Sequence, residues 1–208
     1  DLMRSATNSR IRSEKIVLIG SSSVGKTSIL NRFIRNSFSS VAEPTIGASF
    51  LTKVLDIEGS QIKLDIWDTG GSEKYKSLTP MYYRDASLAI LVIDITNEDS
   101  LIDADEWFST FKEKGPQDAI VVCAANKCDL ESNRKISKKD AEDFVFKNQI
   151  EIMVETSAMT GAGIKELFAE IGKILLSTPP RNSEGESQID FEKGTEIKNT
   201  SERSEERR

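Results

Sequence analysis

The sequence predicts an α/β fold in which a mostly parallel six-stranded sheet, with one antiparallel edge strand, carries helices on both faces. Three apolar runs, Ile16–Ile19, Leu88–Ile95 and Ala119–Ala125, are nearly continuous, as in parallel strands that are covered on both sides. Segments with helical spacing of apolar residues lie between them. Because strands and helices alternate, we expect one open sheet whose ligand site lies at the carboxyl ends of its strands.

The remaining elements follow from local patterns. Leu51–Ile57 and Ile62–Trp67 alternate between apolar and polar residues about Glu58-Gly59-Ser60, which predicts an antiparallel hairpin at one sheet edge. Further predicted elements, in chain order, are a helix with apolar positions from Leu101 to Phe111 and a cap at Asp99 or Ser100, a helix at Lys138–Lys147, a strand at Ile150–Glu155 and a helix from Ile164 to Leu175.

Length and composition favour one domain in a reducing compartment. The chain has 208 residues, of which 38% are hydrophobic, enough for one sizeable core. We expect a flexible N-terminal segment at 1–13, one folded domain at 14–177 and a disordered tail at 178–208, where the sequence becomes polar and aperiodic. Cys123 and Cys128 lie in or just after an apolar strand, so we expect free thiols.

Charge and residue usage exclude several function classes. The net charge of −6 argues against general nucleic-acid binding, and the absence of histidine removes imidazole catalysis. No apolar run is long enough to span a bilayer, so we expect a cytoplasmic or peripheral protein. The available chemistry therefore uses carboxylates, lysine, hydroxyls, backbone groups and a bound ion.

The segment Gly20–Thr27 follows the first apolar run and precedes a helix-like stretch, which is the setting of a phosphate-binding loop. Its glycines let successive N–H groups point at phosphate oxygens, Lys26 is placed to reach the β- and γ-phosphates, and the Thr27 hydroxyl is placed for Mg²⁺. A Gly/Ser-rich turn is the alternative, which the flanking strand and helix disfavour. The sequence therefore predicts a nucleotide site.

Later motifs fall at the carboxyl ends of other predicted strands. Asp68–Gly71 offers a carboxylate for Mg²⁺ and an N–H for a terminal phosphate, although alone it is simply a turn. In Asn126–Asp129, the carboxylate of Asp129 is placed to accept the ring N–H and the exocyclic amine of guanine, a donor pair that adenine lacks. After the last predicted strand, the Ala158 N–H is a candidate donor to the guanine oxygen. These motifs predict GTP or GDP as the nucleotide.

From about Lys15 to Leu176 the chain resembles the Rab family of small GTPases, within the Ras superfamily. The segments that carry the resemblance are Ile46–Phe50, Lys63–Trp67, Glu73–Ser77, Tyr82–Ala86 and Leu91–Thr96; Pro80–Arg84 and Asp94–Glu98 look most like the endosomal branch. The resemblance implies the P-loop small-GTPase fold for residues 14–177. It also implies a guanine-nucleotide-dependent switch in vesicle traffic that uses GTP, GDP and Mg²⁺.

The resemblance also assigns roles to individual residues. It implies that Thr27, Thr45 and Asp68 hold Mg²⁺ and that Phe38 packs against guanine. Hydrolysis would involve Lys26, Thr45, Gly71 and Ser72, and the nucleotide would be bound by Ser22, Ser23, Val24, Gly25, Lys26, Thr27, Ser28, Phe38, Thr45, Gly71, Asn126, Lys127, Asp129, Ser157, Ala158 and Met159. The two switch segments would be Pro44–Gly47 and Asp68 to about Tyr83, which order with GTP and relax after hydrolysis.

Phe50, Trp67 and Tyr82 match the aromatic triad with which Rab proteins contact effectors. The hairpin alternation places the first two on faces shared with polar residues, which fits either a half-buried tryptophan under a loop or an exposed patch for a partner. The resemblance favours the patch. It further implies an exchange factor and a GTPase-activating protein as partners.

The chain departs from the Rab pattern in switch II, where glutamine is usual and Ser72 stands instead. That glutamine orients the attacking water, and a serine hydroxyl is too short to reach the same point. We therefore expect slow hydrolysis and a weak response to an activating protein that depends on the glutamine. The alternatives are that Ser72 acts through an ordered water, that a partner supplies the missing group, or that the chain is a GTP-loaded binding module with negligible hydrolysis.

Two further departures concern the base pocket and the C-terminus. Met159 replaces the usual lysine, for which we expect a modest loss of affinity. The sequence ends at Arg208 without the cysteines that accept prenyl groups in Rab proteins. A truncated chain, a fragment of a longer one and a cytosolic Rab-like protein all fit, so we expect association with endosomal or other vesicle membranes only if the native C-terminus carries such cysteines.

Overall fold

A computed structural model describes residues 11–41, 45–71 and 79–180. Its strands are β1 (Arg12–Ile19), β2 (Ala48–Ile57), β3 (Ser60–Thr69), β4 (Leu88–Asp94), β5 (Ile120–Asn126) and β6 (Met153–Thr156). Its helices are α1 (Lys26–Arg35), α2 (Thr79–Tyr83), α3 (Asp99–Lys114), α4 (Lys138–Lys147) and α5 (Ile164–Ser177), with a 3-10 helix at Cys128–Asn133. None of the helices in these ranges is long and apolar enough to cross a membrane.

The six strands form one sheet in the order β2-β3-β1-β4-β5-β6. Neighbouring strands are parallel throughout, except that β2 pairs antiparallel with β3 at one edge. This confirms the α/β fold with one antiparallel edge strand that the sequence predicts. The three apolar runs form β1, β4 and β5, which are neighbours in the interior of the sheet.

Two apolar clusters cover the two faces of the sheet. Alternate residues of β1 belong to different clusters, since Ile16 and Leu18 pack with α1 and α5 while Val17 and Ile19 pack with α3 and α4. Burial on both faces explains why the central strands are continuously apolar. The helices thus leave the carboxyl ends of the strands free to carry loops.

The hairpin between β2 and β3 has the predicted alternation. Ile62, Leu64 and Ile66 are fully buried on one face of β3. The strands turn at Glu58 and Gly59, which have φ angles of 54° and 85°. Positive φ at both turn residues is the geometry that joins tightly twisted antiparallel strands, and glycine adopts it without strain.

The last strand differs from its predicted bounds, because β6 begins at Met153 rather than Ile150. Gln149 has a φ of 52°, and the Ile150 N–H donates to Val145 O at 3.0 Å. Ile150 therefore belongs to the turn that ends α4. Its side chain is buried, which is why it looked like the first apolar residue of a strand. By contrast, α4 has the predicted bounds, and Ser137 caps it by accepting a hydrogen bond from the Asp140 N–H at 3.0 Å.

Candidate functional site

A cleft of about 380 Å³ lies beside the carboxyl ends of β1, β3 and β5 and the N-terminus of α1. It is the place where an open α/β sheet binds its ligand. The predicted nucleotide residues that line it are Ser22, Ser23, Gly25, Lys26, Thr27, Ser28, Phe38, Thr45, Gly71, Asn126, Lys127, Asp129, Ala158 and Met159. Val24 and Ser157 are buried next to these residues, and Ser72 lies outside the described residues.

The phosphate-binding loop is curled by positive φ angles at Gly20, Ser23 and Gly25. Gly25 begins α1, and a Cβ there would lie 2.2 Å from Asn126 Nδ2, so the close approach requires glycine. The free N–H groups and the dipole of α1 make this end of the cleft electropositive. The loop therefore favours an anion such as a phosphate.

Lys26 is almost fully buried beneath this loop, and its Nζ donates to Gly20 O and Ser21 O, both at 2.7 Å. Burial lowers the pKa of the ammonium to about 8, against the opposing attraction of Asp68. Gly71 packs against the same group, because a Cβ there would lie 2.5 Å from Nζ. The cation and the predicted start of switch II thus meet at the end of the cleft beside the predicted phosphate-binding loop.

Three oxygen-bearing side chains converge beside Lys26. Thr27 Oγ1 donates to Asp68 Oδ2 at 2.6 Å and lies 2.8 Å from Thr45 Oγ1. Burial raises the pKa of Asp68, while the Thr27 hydroxyl and the Lys26 charge lower it. Asp68 Oδ1 is buried and has no hydrogen-bond partner among the described residues. An orphaned carboxylate oxygen next to two hydroxyls is a donor set that suits Mg²⁺.

At the end of the cleft that is predicted to hold the base, Asn126, the last residue of β5, contacts two other segments. Its Nδ2 donates to Val24 O at 2.9 Å, and its Oδ1 accepts from Thr156 Oγ1 at 3.2 Å and from the Ala158 N–H at 3.3 Å. Asn126 is thus a buried tie between the phosphate-binding loop and the segment after β6. Its side-chain groups hold the walls of the pocket in place.

The other base-end residues line the opening of the cleft. Asp129 lies in the 3-10 helix and is exposed to solvent. Lys127, which directly precedes that helix, has its Nζ 2.6 Å from Asp94 Oδ2. Phe38 is 40% exposed and Met159 is 57% exposed, so both present apolar surface to the cleft. These side chains form a half-open slot suited to a flat ring.

Ser157, a predicted nucleotide-binding residue, lies in the turn that follows β6. Its N–H donates to Ala162 O at 2.9 Å, and its Oγ accepts from the Thr160 N–H at 3.0 Å. The side chain is fully buried in its own turn and therefore shapes the loop that carries Ala158.

Sequence reasoning missed several residues at the site. Ser39, Ser40, Thr69 and Leu130 also line the cleft, and each lies within two positions of a predicted site residue. Thr69 Oγ1 donates to Leu18 O at 2.6 Å and so fixes the end of β3 against β1. No local pattern marks this contact, because its partners are 51 positions apart.

The aromatic triad forms one cluster on the hairpin face. The Phe50 and Trp67 ring centroids lie 5.2 Å apart, and those of Trp67 and Tyr82 lie 5.9 Å apart. Lys15 Nζ lies 5.1 Å from the Trp67 ring centroid. Phe50 is 50% exposed, as expected for an exposed patch, whereas Trp67 is half-buried, as in the alternative interpretation.

The described parts of the two predicted switch segments meet beside this cluster. The Gly70 N–H, after β3, donates to Gly47 O, before β2, at 2.8 Å. Thr45 and Gly71 lie in the same connecting segments and line the cleft. The hydrogen bond therefore joins the two segments that line the cleft at the strand ends nearest Phe50 and Trp67. The predicted switch residues Pro44 and Glu73–Ser77 lie outside the described residues.

Comparison with known proteins matches this architecture to one family. The Ras family model matches residues 15–177. The chain is also 41% identical over 172 residues to the Ras-related protein Rab-5A of Dictyostelium discoideum, an alignment that covers 83% of this chain and 85% of that protein. Together with the cleft and the sheet topology, these matches show that the chain belongs to the Ras family and is a Rab-like small GTPase of the endosomal branch.

Proposed function

We propose that the chain is a guanine-nucleotide switch in vesicle traffic that binds GTP or GDP with Mg²⁺ and recruits effectors in its GTP-bound form. The observation that carries the proposal is that Lys26, Thr27 and Thr45 line one cleft and that the buried carboxylate of Asp68 lies directly behind them, hydrogen-bonded to Thr27. A buried ammonium and an oxygen cluster suit the phosphates and the cation of a nucleotide. The GTPase domain in this proposal spans residues 14–177.

Each group in the cleft has a distinct part in binding. The loop N–H groups and Lys26 bind the phosphate oxygens, and Thr27, Thr45 and Asp68 would hold Mg²⁺. When bound, the ion would neutralise charge on the phosphates. Asp129 accepts from the two guanine donors, so ATP would leave that carboxylate unsatisfied. Preferential binding of ATP, or retained guanine selectivity in Asp129→Ala, would contradict this assignment.

Hydrolysis is proposed to be slow because Ser72 lacks the reach of glutamine. Single-turnover assays of γ-phosphate release test this directly, and Ser72→Gln is expected to accelerate release. Absence of release above buffer over hours would favour the second candidate, a GTP-loaded binding module. Chromatography of the nucleotide that copurifies with the protein distinguishes the two, since bound GDP indicates a working cycle.

Effector binding is proposed for the surface of Phe50, Trp67 and Tyr82, together with the two switch segments. Its support is the Gly70–Gly47 hydrogen bond, which ties the cleft to the ends of β2 and β3. Capture of partners by GTP-loaded and GDP-loaded protein, compared between the wild type and Trp67→Ala, tests the surface. Equal capture by both proteins would count against it.

Regulators and location complete the proposal. An exchange factor and a GTPase-activating protein are proposed as partners because the Rab-like nucleotide cycle needs both steps controlled. Peripheral association with endosomal membranes is proposed on the basis of the similarity to Rab-5A, on the condition that the native C-terminus carries prenylatable cysteines. Vesicle flotation of a lipid-modified chain beside the unmodified chain tests that condition.

A further inference from the structure

Arg32, on the last turns of α1, connects the two walls of the base end of the cleft. Its Nε donates to Ala158 O at 2.8 Å, and one terminal nitrogen donates to Met159 O at 2.7 Å. The other terminal nitrogen donates to Asn36 O at 3.1 Å and to Asn36 Oδ1 at 3.2 Å. One guanidinium thus spans from the loop after β6 to the C-terminus of α1.

Both ends of this bridge lead to groups that face the base slot. Asn36 caps α1 and is followed two residues later by Phe38, which lines the cleft. Ala158 is held on both sides, since its carbonyl accepts from Arg32 while its N–H donates to Asn126 Oδ1 at 3.3 Å. The spacing between the Phe38 wall and the Ala158 wall therefore depends on the Arg32 side chain.

The geometry requires arginine rather than another cation. Three guanidinium nitrogens point in fixed directions within one plane and each meets a carbonyl or amide oxygen. The rotating ammonium of lysine lacks that planar fork and would hold the two walls less rigidly.

We propose that Arg32 is a positioning residue for guanine recognition, which holds the Ala158 N–H and the Phe38 ring at the separation that a purine requires. This inference rests on the proposed function, because it assumes that guanine occupies the slot. The Ala158 N–H is the candidate donor to the 6-oxygen of guanine, to which it would turn from its long hydrogen bond of 3.3 Å with Asn126 Oδ1. Loss of the bridge should therefore weaken binding of a base with that oxygen more than binding of one without it.

The experiment compares Arg32→Gln and Arg32→Lys with wild type and with the control Arg35→Gln, which removes a charge from an exposed site on the same helix. Two probes are used, GDP and the diphosphate of 2-aminopurine riboside, which keeps the 2-amino group but has neither the 6-oxygen nor the ring N–H. Loss of that N–H affects the wild type and the Arg32 variants alike, so each probe is compared with its own wild-type value. Dissociation constants are measured by competition with a fluorescent GDP analogue. Thermal unfolding of each variant is recorded in parallel.

We expect Arg32→Gln to weaken GDP binding about 30-fold, since two charge-assisted hydrogen bonds to the loop are lost. Arg32→Lys should still show more than half of the increase in log Kd for GDP that Arg32→Gln shows. The Kd of Arg35→Gln for GDP should stay within about twofold of wild type. The 2-aminopurine nucleotide should weaken by at most about fivefold in Arg32→Gln, because it does not use the Ala158 donor.

Two results would overturn the inference. One is an equal loss for both nucleotides, which would indicate a merely structural role; the other is GDP binding by Arg32→Gln within twofold of wild type. If Arg32→Gln does not fold, the same comparison of probes is made with Arg32→Lys. A wild-type protein that binds ATP as tightly as GDP would instead refute the proposed function, so the two failures are distinguishable.

Discussion

Replacement of Asn126 by alanine should disconnect the phosphate end of the cleft from the base end. The side chain is 2% exposed and makes three hydrogen bonds, to Val24 O, Thr156 Oγ1 and the Ala158 N–H. Each is worth about 1 kcal/mol of net stability, and groups left buried without a partner cost more. We therefore expect the free energy of unfolding to fall by about 3 kcal/mol, and the melting temperature by about 6–12 °C for a domain of this size.

The assay is urea unfolding with and without saturating GDP. At one fixed GDP concentration, the difference between the two conditions reports the dissociation constant for GDP, since a ligand that binds only the folded state stabilises it by mass action. We expect the free energy of unfolding of Asn126→Ala to fall in both conditions and to fall further with GDP. The reason is that residue 126 no longer holds Val24 and Ala158, and so the two loops, at their binding positions.

Asn133→Ala is the matched control, because Asn133 is exposed and lies in the neighbouring 3-10 helix. It should change the free energy of unfolding by less than about 0.5 kcal/mol. A loss below about 1 kcal/mol in Asn126→Ala would refute the reasoning, because it would mean that the three contacts are replaced by water at no cost. An equal loss with and without GDP would refute the link to nucleotide binding.

Three further predictions concern other parts of the molecule. Tyr83→Phe should raise the free energy of unfolding by about 1 kcal/mol in urea titrations, since the fully buried Tyr83 hydroxyl has no partner among the described residues; a decrease would contradict this. Burial raises the pKa of the Cys123 thiol to about 12. At pH 8 an alkylating agent should therefore label half-buried Cys128 in the native protein and Cys123 only after unfolding. Mass spectrometry of the peptides measures both. Gly71→Ala should weaken GTP binding about tenfold relative to GDP binding. The added Cβ would lie 2.5 Å from Lys26 Nζ and from Ser21 O, so it would move the backbone N–H proposed for the γ-phosphate. Equal effects on both nucleotides would argue against that role.

Local patterns were sufficient for most of the backbone. The continuous apolar runs predicted β1, β4 and β5, because strands covered on both faces have no polar side. The hairpin followed from its alternation and its turn. The start of β6 could not be predicted, since Ile150 is apolar both as a strand residue and as the residue that closes α4.

The sequence by itself determined the motifs of the cleft, because each motif is a short segment whose spacing is set by neighbouring residues. The tertiary structure decided how those segments touch. Arg32 and Ala158 are 126 positions apart, and Asn126 and Val24 are 102 positions apart, so their hydrogen bonds depend on the order of the strands in the sheet. The orphaned oxygen of Asp68 is likewise a consequence of packing, since only the assembled fold removes water from that carboxylate.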